Sequence, residues 1–130
     1  MSLFMSTPKP KAAEICRIPC FDQEKVSAIK NTLAKEETRL PELAEFYKLL
    51  GNVTRLKILL ALADNELCVC DIAHVLGLST AATSHQLKLL RDKGWLKMRN
   101  DGKMVYYRLH SEDLLKALKG DLSMLEARLG

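Results

Sequence analysis

The chain has 130 residues, of which 48% are hydrophobic and 28% charged, and its formal net charge is +4. This length and composition predict one globular domain with a substantial hydrophobic core. No apolar run approaches the ~20 residues that a membrane-spanning helix needs, and no charged-then-apolar signal segment opens the sequence. We therefore expect a cytoplasmic protein with no membrane partner.

The positive charge is concentrated in one segment. Residues 84–108 carry seven basic side chains against two aspartates, a local charge of +5, while the whole chain carries +4. A basic segment on a near-neutral body is typical of a nucleic-acid-binding surface, and a merely solvated basic face is the alternative. The basic residues are Lys88, Arg91, Lys93, Lys97, Arg99, Lys103 and Arg108.

Residues 1–21 are predicted to form a flexible arm, and residues 22–130 the folded domain. The first 15 residues lack any apolar periodicity and contain two prolines, which favours disorder. The arm then carries the pair Cys16 and Cys20 around Pro19. Because proline is disfavoured inside a helix, this pair is expected on an extended segment.

Three core helices are expected next, over about 22–36, 41–50 and 53–63. Asp22 is a plausible N-cap, and a proline in the first turn opens the second helix. Apolar residues recur at helical spacing in the first and third helices, which predicts that they face the core. These residues are Val26, Ile29 and Leu33, then Leu56, Leu59, Leu60 and Ala63.

A helix-turn-helix follows. A short helix over about 71–76 ends at Gly77, and a second helix over about 80–93 ends at Gly94, with Ser79 as its N-cap. Two helices joined by a tight glycine turn are the arrangement that places a recognition helix in the DNA major groove.

The second of these helices has an apolar face and a polar face. Thr83, Leu87 and Leu90 are expected to face the core, and the pattern leaves Leu89 on the outer side without a role. The polar face supplies hydrogen-bond donors and acceptors for base edges and phosphates. The candidate DNA-binding residues here are Ser79, Thr80, Ser84, His85, Gln86, Lys88 and Arg91.

Two strands are predicted over 95–99 and 104–109, joined by a turn that contains the hairpin dipeptide Asp101-Gly102. A basic hairpin directly after a recognition helix is the wing of a winged helix-turn-helix, with Arg99 and Lys103 as candidate DNA contacts. The alternative is a hairpin that only covers the core.

The last helix is expected to begin near Ser111 and to carry a long leucine stripe. A terminal helix with such a stripe either packs on its own core or pairs with a partner subunit. We favour pairing, together with the first helix, because such proteins usually read two half-sites as a dimer. The predicted fold is mainly α with a β-hairpin wing, a homodimeric winged helix-turn-helix. The stripe consists of Leu114, Leu118, Leu122, Leu125 and Leu129.

Cys68 and Cys70 lie at the entrance of the first helix of the pair. As alternate residues of an extended segment, they are expected to point their sulfurs the same way. Thiolates select soft metals such as Zn, Cd, Pb or Cu(I). Buried apolar cysteines, a structural zinc site and a redox disulfide are the alternatives, and His74 is a possible nitrogen donor.

Catalysis is not expected. Cys70, Asp71 and His74 are close in sequence, but a nucleophile also needs a substrate pocket and an oxyanion hole. Neither is visible in the sequence, and we therefore predict a protein that is not an enzyme.

The motifs ELCVCDIA (66–73), SHQLKLLRDKG (84–94) and YYRL (106–109), with the hairpin turn, resemble the ArsR/SmtB family of metal-sensing repressors over about residues 37–120. The tail pair is similar to that of the cadmium and lead sensors of the CadC type. The resemblance implies one thiolate site made of Cys16, Cys20, Cys68 and Cys70, with the tail cysteines supplied by the other protomer. Ala73 stands where arsenic-sensing relatives carry a third cysteine, which disfavours arsenite as the effector.

The resemblance implies a dimeric repressor that binds double-stranded operator DNA and releases it when Cd, Pb or Zn binds the cysteines. Two alternatives stay open. One is a DNA-binding regulator with a redox-active or structural cysteine site, and the other is a metal-buffering protein with no role at DNA.

Overall fold

The computed structural model describes residues 20–129, and the chain divides into two compact units between Ala44 and Glu45. Most of the predicted arm, including Cys16, lies outside the described residues. None of the described helices is long and apolar enough to cross a membrane. The helices are α1 (Gln23–Lys35), α2 (Arg39–Leu50), α3 (Val53–Ala61), α4 (Val69–Leu76), α5 (Thr80–Asp92) and α6 (Glu112–Leu129), and the strands are β1 (Leu67–Cys68), β2 (Leu96–Asp101) and β3 (Met104–Leu109).

The described part of the first unit is helix α1 and the first half of α2. Asp22 caps α1 as predicted, its carboxylate accepting from the backbone N–H of Lys25 at 3.0 Å. The expected burial of the α1 stripe is wrong, however, because no residue of α1 is buried and Ile29 and Leu33 are each 53% exposed. An uncovered apolar stripe on a helix is a surface available to another chain.

Helix α2 begins at Arg39, two residues earlier than predicted. Pro41 falls in its first turn, where the missing N–H costs nothing because it has no partner within the helix. Helix α3 begins at the predicted residue, with Asn52 as N-cap accepting from the backbone N–H of Arg55 at 3.1 Å. It ends at Ala61 rather than Ala63.

The core of the second unit is assembled from every helix of that unit and from the hairpin. In α3 the buried residues are Ile58 and Leu59, whereas Leu60, expected in the core, is exposed. The helix is therefore rotated relative to the predicted stripe, and Leu60 is left on the surface. The core residues are Leu49, Leu50, Ile58, Leu59, Leu62, Ile72, Leu87, Leu90, Leu96, Tyr107, Leu114 and Leu118.

The helix-turn-helix is confirmed. Helix α4 ends at Gly77, whose φ of 69° is left-handed backbone that glycine adopts without strain. Helix α5 begins after the N-cap Ser79, whose side chain accepts from the backbone N–H of Ala82 at 3.0 Å. The inward face is as predicted, with Thr83, Leu87 and Leu90 all fully buried.

The hairpin is also confirmed, and it belongs to a three-stranded antiparallel sheet of order β1-β3-β2. Strand β1 pairs with β3 through Leu67 opposite Tyr107 and Cys68 opposite Tyr106. The sequence did not predict β1, since two residues give no measurable alternation. The structure is thus mainly helical with a β wing, the predicted fold class.

Helix α6 divides into two halves. Leu114, Leu115 and Leu118 are buried in the core of the second unit, whereas Leu122 and Leu125 are 52% and 44% exposed. The expectation that the whole stripe serves a partner subunit is therefore wrong for its first half. That half anchors the helix, and only the second half is open to another chain.

The packing of α4 generates a stability prediction. Ile72 is fully buried in the core, while Val75 on the same helix is 65% exposed. Ile72→Ala should lower the free energy of unfolding by about 2–5 kcal/mol, because it removes buried methyl groups and leaves a cavity. Val75→Ala is the matched control and should stay within about 0.5 kcal/mol in urea denaturation at the same protein concentration. Equal losses in the two variants would contradict this packing.

Candidate nucleic-acid interface and cysteine pair

Helix α5 is held firmly at its N-terminus and along its inner face. The Thr83 hydroxyl is fully buried and donates to the backbone carbonyl of Ser79 at 2.8 Å, which satisfies the one polar group on the buried face. Leu89, which had no role in the sequence pattern, is half-buried and packs against the core. The opposite face is therefore presented on a rigid support, as a base-reading helix requires.

The exposed face of α5 carries most of the predicted DNA-binding residues. Lys88 lies one turn before Asp92 and donates to it at 2.8 Å, and Arg91 donates to the same carboxylate at 3.3 Å. The Lys88 hydrogen bond, followed by that of Arg91, lowers the pKa of Asp92. This carboxylate thus offsets part of the local positive charge. The remaining exposed candidates are Ser79, Thr80, Ser84 and His85.

Gln86 lies apart from this exposed set. It is half-buried, and its side-chain carbonyl accepts from Arg55 Nε at 3.0 Å. Arg55 is fixed in turn by donating from Nη1 to the backbone carbonyl of Leu49 at 3.1 Å. Arg55 therefore fixes the orientation of the Gln86 amide, and a two-pronged contact with adenine would use the NH2 group and the second lone pair of the carbonyl oxygen. Sequence reasoning missed Arg55, and no local pattern marks a contact across 31 residues.

The two predicted wing residues have different surroundings. Lys103 is exposed in the hairpin turn beside Gly102, whose φ is 63°. Arg99 instead forms a forked ion pair with Glu66, in which Nη2 lies 2.7 Å from Oε1 and Nε lies 3.1 and 3.2 Å from the two oxygens. Its guanidinium also stacks over Tyr106, 4.9 Å from the ring centroid. Sequence reasoning did not single out Glu66.

The pKa values of Glu66 and Arg99 are shifted by this ion pair. The hydrogen bond from Arg99, with its charge and that of Arg108, lowers the pKa of Glu66 against a smaller opposing effect of burial. The hydrogen bond to Glu66 correspondingly raises the pKa of Arg99. Both groups stay ionised at neutral pH, and Arg99 is not a free cation in this structure.

Cys68 and Cys70 do not lie on one extended segment, which corrects the expectation for their sulfurs. The helix begins at Val69, two residues before the predicted start, so Cys68 is the N-cap of α4 and Cys70 lies in its first turn. Cys68 is buried at 6% exposure, whereas Cys70 is exposed. The backbone N–H of Cys68 also donates to Asp71 Oδ2 at 3.4 Å.

Cys68 and Cys70 place two thiols at the N-terminus of α4. Two thiols at this position fit a soft metal by their chemistry. Over residues 20–129, however, no group of three or more potential ligands is gathered at one point. The pair is therefore at most part of a metal site.

The other predicted donors are only partly described. Cys20 is exposed just before α1, and Cys16 lies outside the described residues. His74, the possible nitrogen donor, places Nδ1 2.8 Å from the backbone carbonyl of Cys70. That contact orients the ring, so Nε2 is the nitrogen with which His74 could bind a metal.

The family model of the bacterial regulatory protein, arsR family, matches residues 52–97. The cadmium resistance transcriptional regulatory protein CadC of Listeria innocua is 41% identical over 107 residues, which cover 82% of this chain and 88% of that protein. A transcriptional repressor SmtB homolog of Synechocystis is 37% identical and covers 73% of this chain and 71% of its own.

Among solved structures, a homodimeric winged helix-turn-helix DNA-binding domain from Mycobacterium bovis superposes with a TM-score of 0.65 at 29% identity. The match covers 73% of this chain and 88% of that one. The fold, with α5 packed against the core and the wing after it, agrees with these similarities. The chain belongs to the ArsR family of bacterial regulatory proteins, as a winged helix-turn-helix DNA-binding transcriptional regulator.

Proposed function

We propose that the protein is a metal-responsive repressor that binds operator DNA as a homodimer and releases it when a soft metal ion, Cd, Pb or Zn, binds cysteine thiolates. The observation that carries this proposal is the position of Cys68. It is at once the N-cap of α4 and a residue of β1 that pairs with wing strand β3. A ligand at this residue therefore acts on the helix-turn-helix and on the wing together.

The proposed site combines Cys68 and Cys70 with the tail cysteines Cys16 and Cys20 of the other protomer. The 41% identity to a cadmium resistance regulator supports cadmium as one effector. Metal binding would shift the start of α4 and, through it, the angle at which α5 enters the groove. By thermodynamic linkage, DNA must weaken metal binding by the same factor, a coupling of typically about 1–3 kcal/mol.

In the proposed DNA complex, α5 reads base edges and the wing grips phosphates. His85→Ala should relax base choice, at a cost of about 1–3 kcal/mol on the operator if its contact is to a base edge. Lys103→Ala should weaken operator and random DNA alike and reduce the magnitude of the salt slope of log K by about 0.9. Fluorescence anisotropy titrations on both duplexes test this, and equal losses on both for His85→Ala would refute base reading.

The homodimer is proposed to form through the exposed half of α6 and the uncovered stripe of α1. Leu122 and Leu125 line a cavity of about 300 Å³ with Leu56, Leu60 and Leu118, all on the second unit. Open apolar surface of this kind is typical of a subunit interface. The homodimeric domain from Mycobacterium bovis, with the same fold, supports this assignment.

Leu122→Glu combined with Leu125→Glu should give monomers and abolish operator binding, because the charges would be buried in the interface. Ser123→Glu with Ala127→Glu adds the same charge at other exposed positions of α6 and is the control. Sedimentation equilibrium measures the mass, with circular dichroism to confirm folding. A dimer that persists in the leucine variant would show that the interface lies elsewhere.

Metal sensing is tested with Cd and the operator complex. Wild-type protein should show sulfur-to-metal charge-transfer absorption with Cd and lose the operator, while Mg should do neither. Cys68→Ser should cost most of the metal affinity yet keep α4 capped, because serine is a good N-cap. Cadmium affinity should also fall at acid pH, since the thiols must lose their protons to bind.

Replacing all four cysteines by serine completes this test. The quadruple variant should bind the operator and keep it in the presence of Cd, Pb or Zn. If it still releases the operator, the sensing site is not made of these cysteines. Loss of operator binding on oxidation alone, without any response to metal, would instead identify a redox switch.

A further inference from the structure

We propose that Glu66 masks Arg99 of the wing, so that the carboxylate competes with DNA phosphates for the guanidinium and limits the grip of the wing on DNA. This inference rests on the proposed DNA-binding function. In this role Glu66 holds the Arg99 side chain away from DNA phosphates and so weakens DNA binding. It contacts neither the metal nor the bases in the function proposed above.

The geometry of Arg99 carries the inference. Its Nε and Nη2 are both directed at Glu66, with contacts between 2.7 and 3.2 Å. Its Nη1 lies 3.6 Å from a carboxylate oxygen of Asp101. All three nitrogens of the guanidinium therefore face acidic groups. A phosphate that binds the Nε–Nη2 edge of the guanidinium needs the same two donors that Glu66 accepts from, so the carboxylate and a phosphate compete for that edge.

The pair is also accessible enough to exchange. The side chains of Arg99 and Glu66 are 50% and 32% exposed, and an ion pair in this setting contributes little to folding. Its formation is therefore better explained as control of a charge than as a means of holding the fold. Stacking on Tyr106 keeps the guanidinium at the sheet surface whichever anion it binds.

The position of Glu66 in the chain determines which structural element holds the masking carboxylate. It directly precedes strand β1, and Cys68 in that strand is opposite Tyr106, which is itself opposite Arg99. Cys68, Tyr106 and Arg99 thus form one row across the sheet. The carboxylate that restrains the wing is positioned by the same short strand that holds the buried cysteine.

Glu66→Gln, measured without metal on a random duplex, tests the mask. Removing the carboxylate should tighten binding roughly 3- to 10-fold at low salt and steepen the salt slope of log K by about 0.9, since Arg99 then neutralises one more phosphate. The control is Glu45→Gln, which makes the same charge change at the exposed Glu45–Lys48 pair and should alter affinity far less.

A double variant shows whether Glu66 acts through Arg99. In an Arg99→Gln background, Glu66→Gln should give no further gain in affinity. Unchanged or weaker binding by Glu66→Gln, or a gain that persists without Arg99, would overturn the mask. These measurements need no metal, so failure of the wild-type protein to release its operator with Cd would count against the proposed sensing alone.

Discussion

The pairing of strand β1 with β3 is the constraint on which the functional geometry depends. β1 has only two residues, Leu67 and Cys68, yet each pairs with a residue of the wing strand β3. The chain then turns at once into α4, so the same segment ends a sheet and starts the helix-turn-helix. Through this pairing the hairpin becomes part of a three-stranded sheet, which is more stable than two strands alone.

The fold was largely predictable because its strongest signals are local. Ser79, the helical spacing of Thr83, Leu87 and Leu90, and the Asp101-Gly102 turn each act within a few residues, and the structure confirms all of them. Cap and turn chemistry depend on neighbours in sequence, so a single sequence is enough to recognise them.

The errors have a common physical cause, since they depend on contacts that are distant in sequence. β1 exists only because β3 lies beside it. The extended segment expected to hold Cys68 and Cys70 ends earlier than predicted, because α4 begins at Val69. The partners of Gln86 and Arg99 lie 31 and 33 residues away. Likewise, a leucine stripe indicates a buried face but not what buries it, which is why α6 was assigned wholly to a partner subunit.

The charges of the predicted DNA-binding surface are more balanced than the +5 segment suggests. Asp92 accepts from two basic residues of α5, and Glu66 from one residue of the wing. Because phosphate contacts supply affinity without sequence information, unmasked basic side chains would strengthen binding to all DNA alike. Carboxylates that compete for those side chains lower this general affinity while leaving base contacts untouched. Because both affinities fall by the same factor, the ratio of operator to random binding, which decides occupancy in a genome, is left to the proposed base contacts of α5.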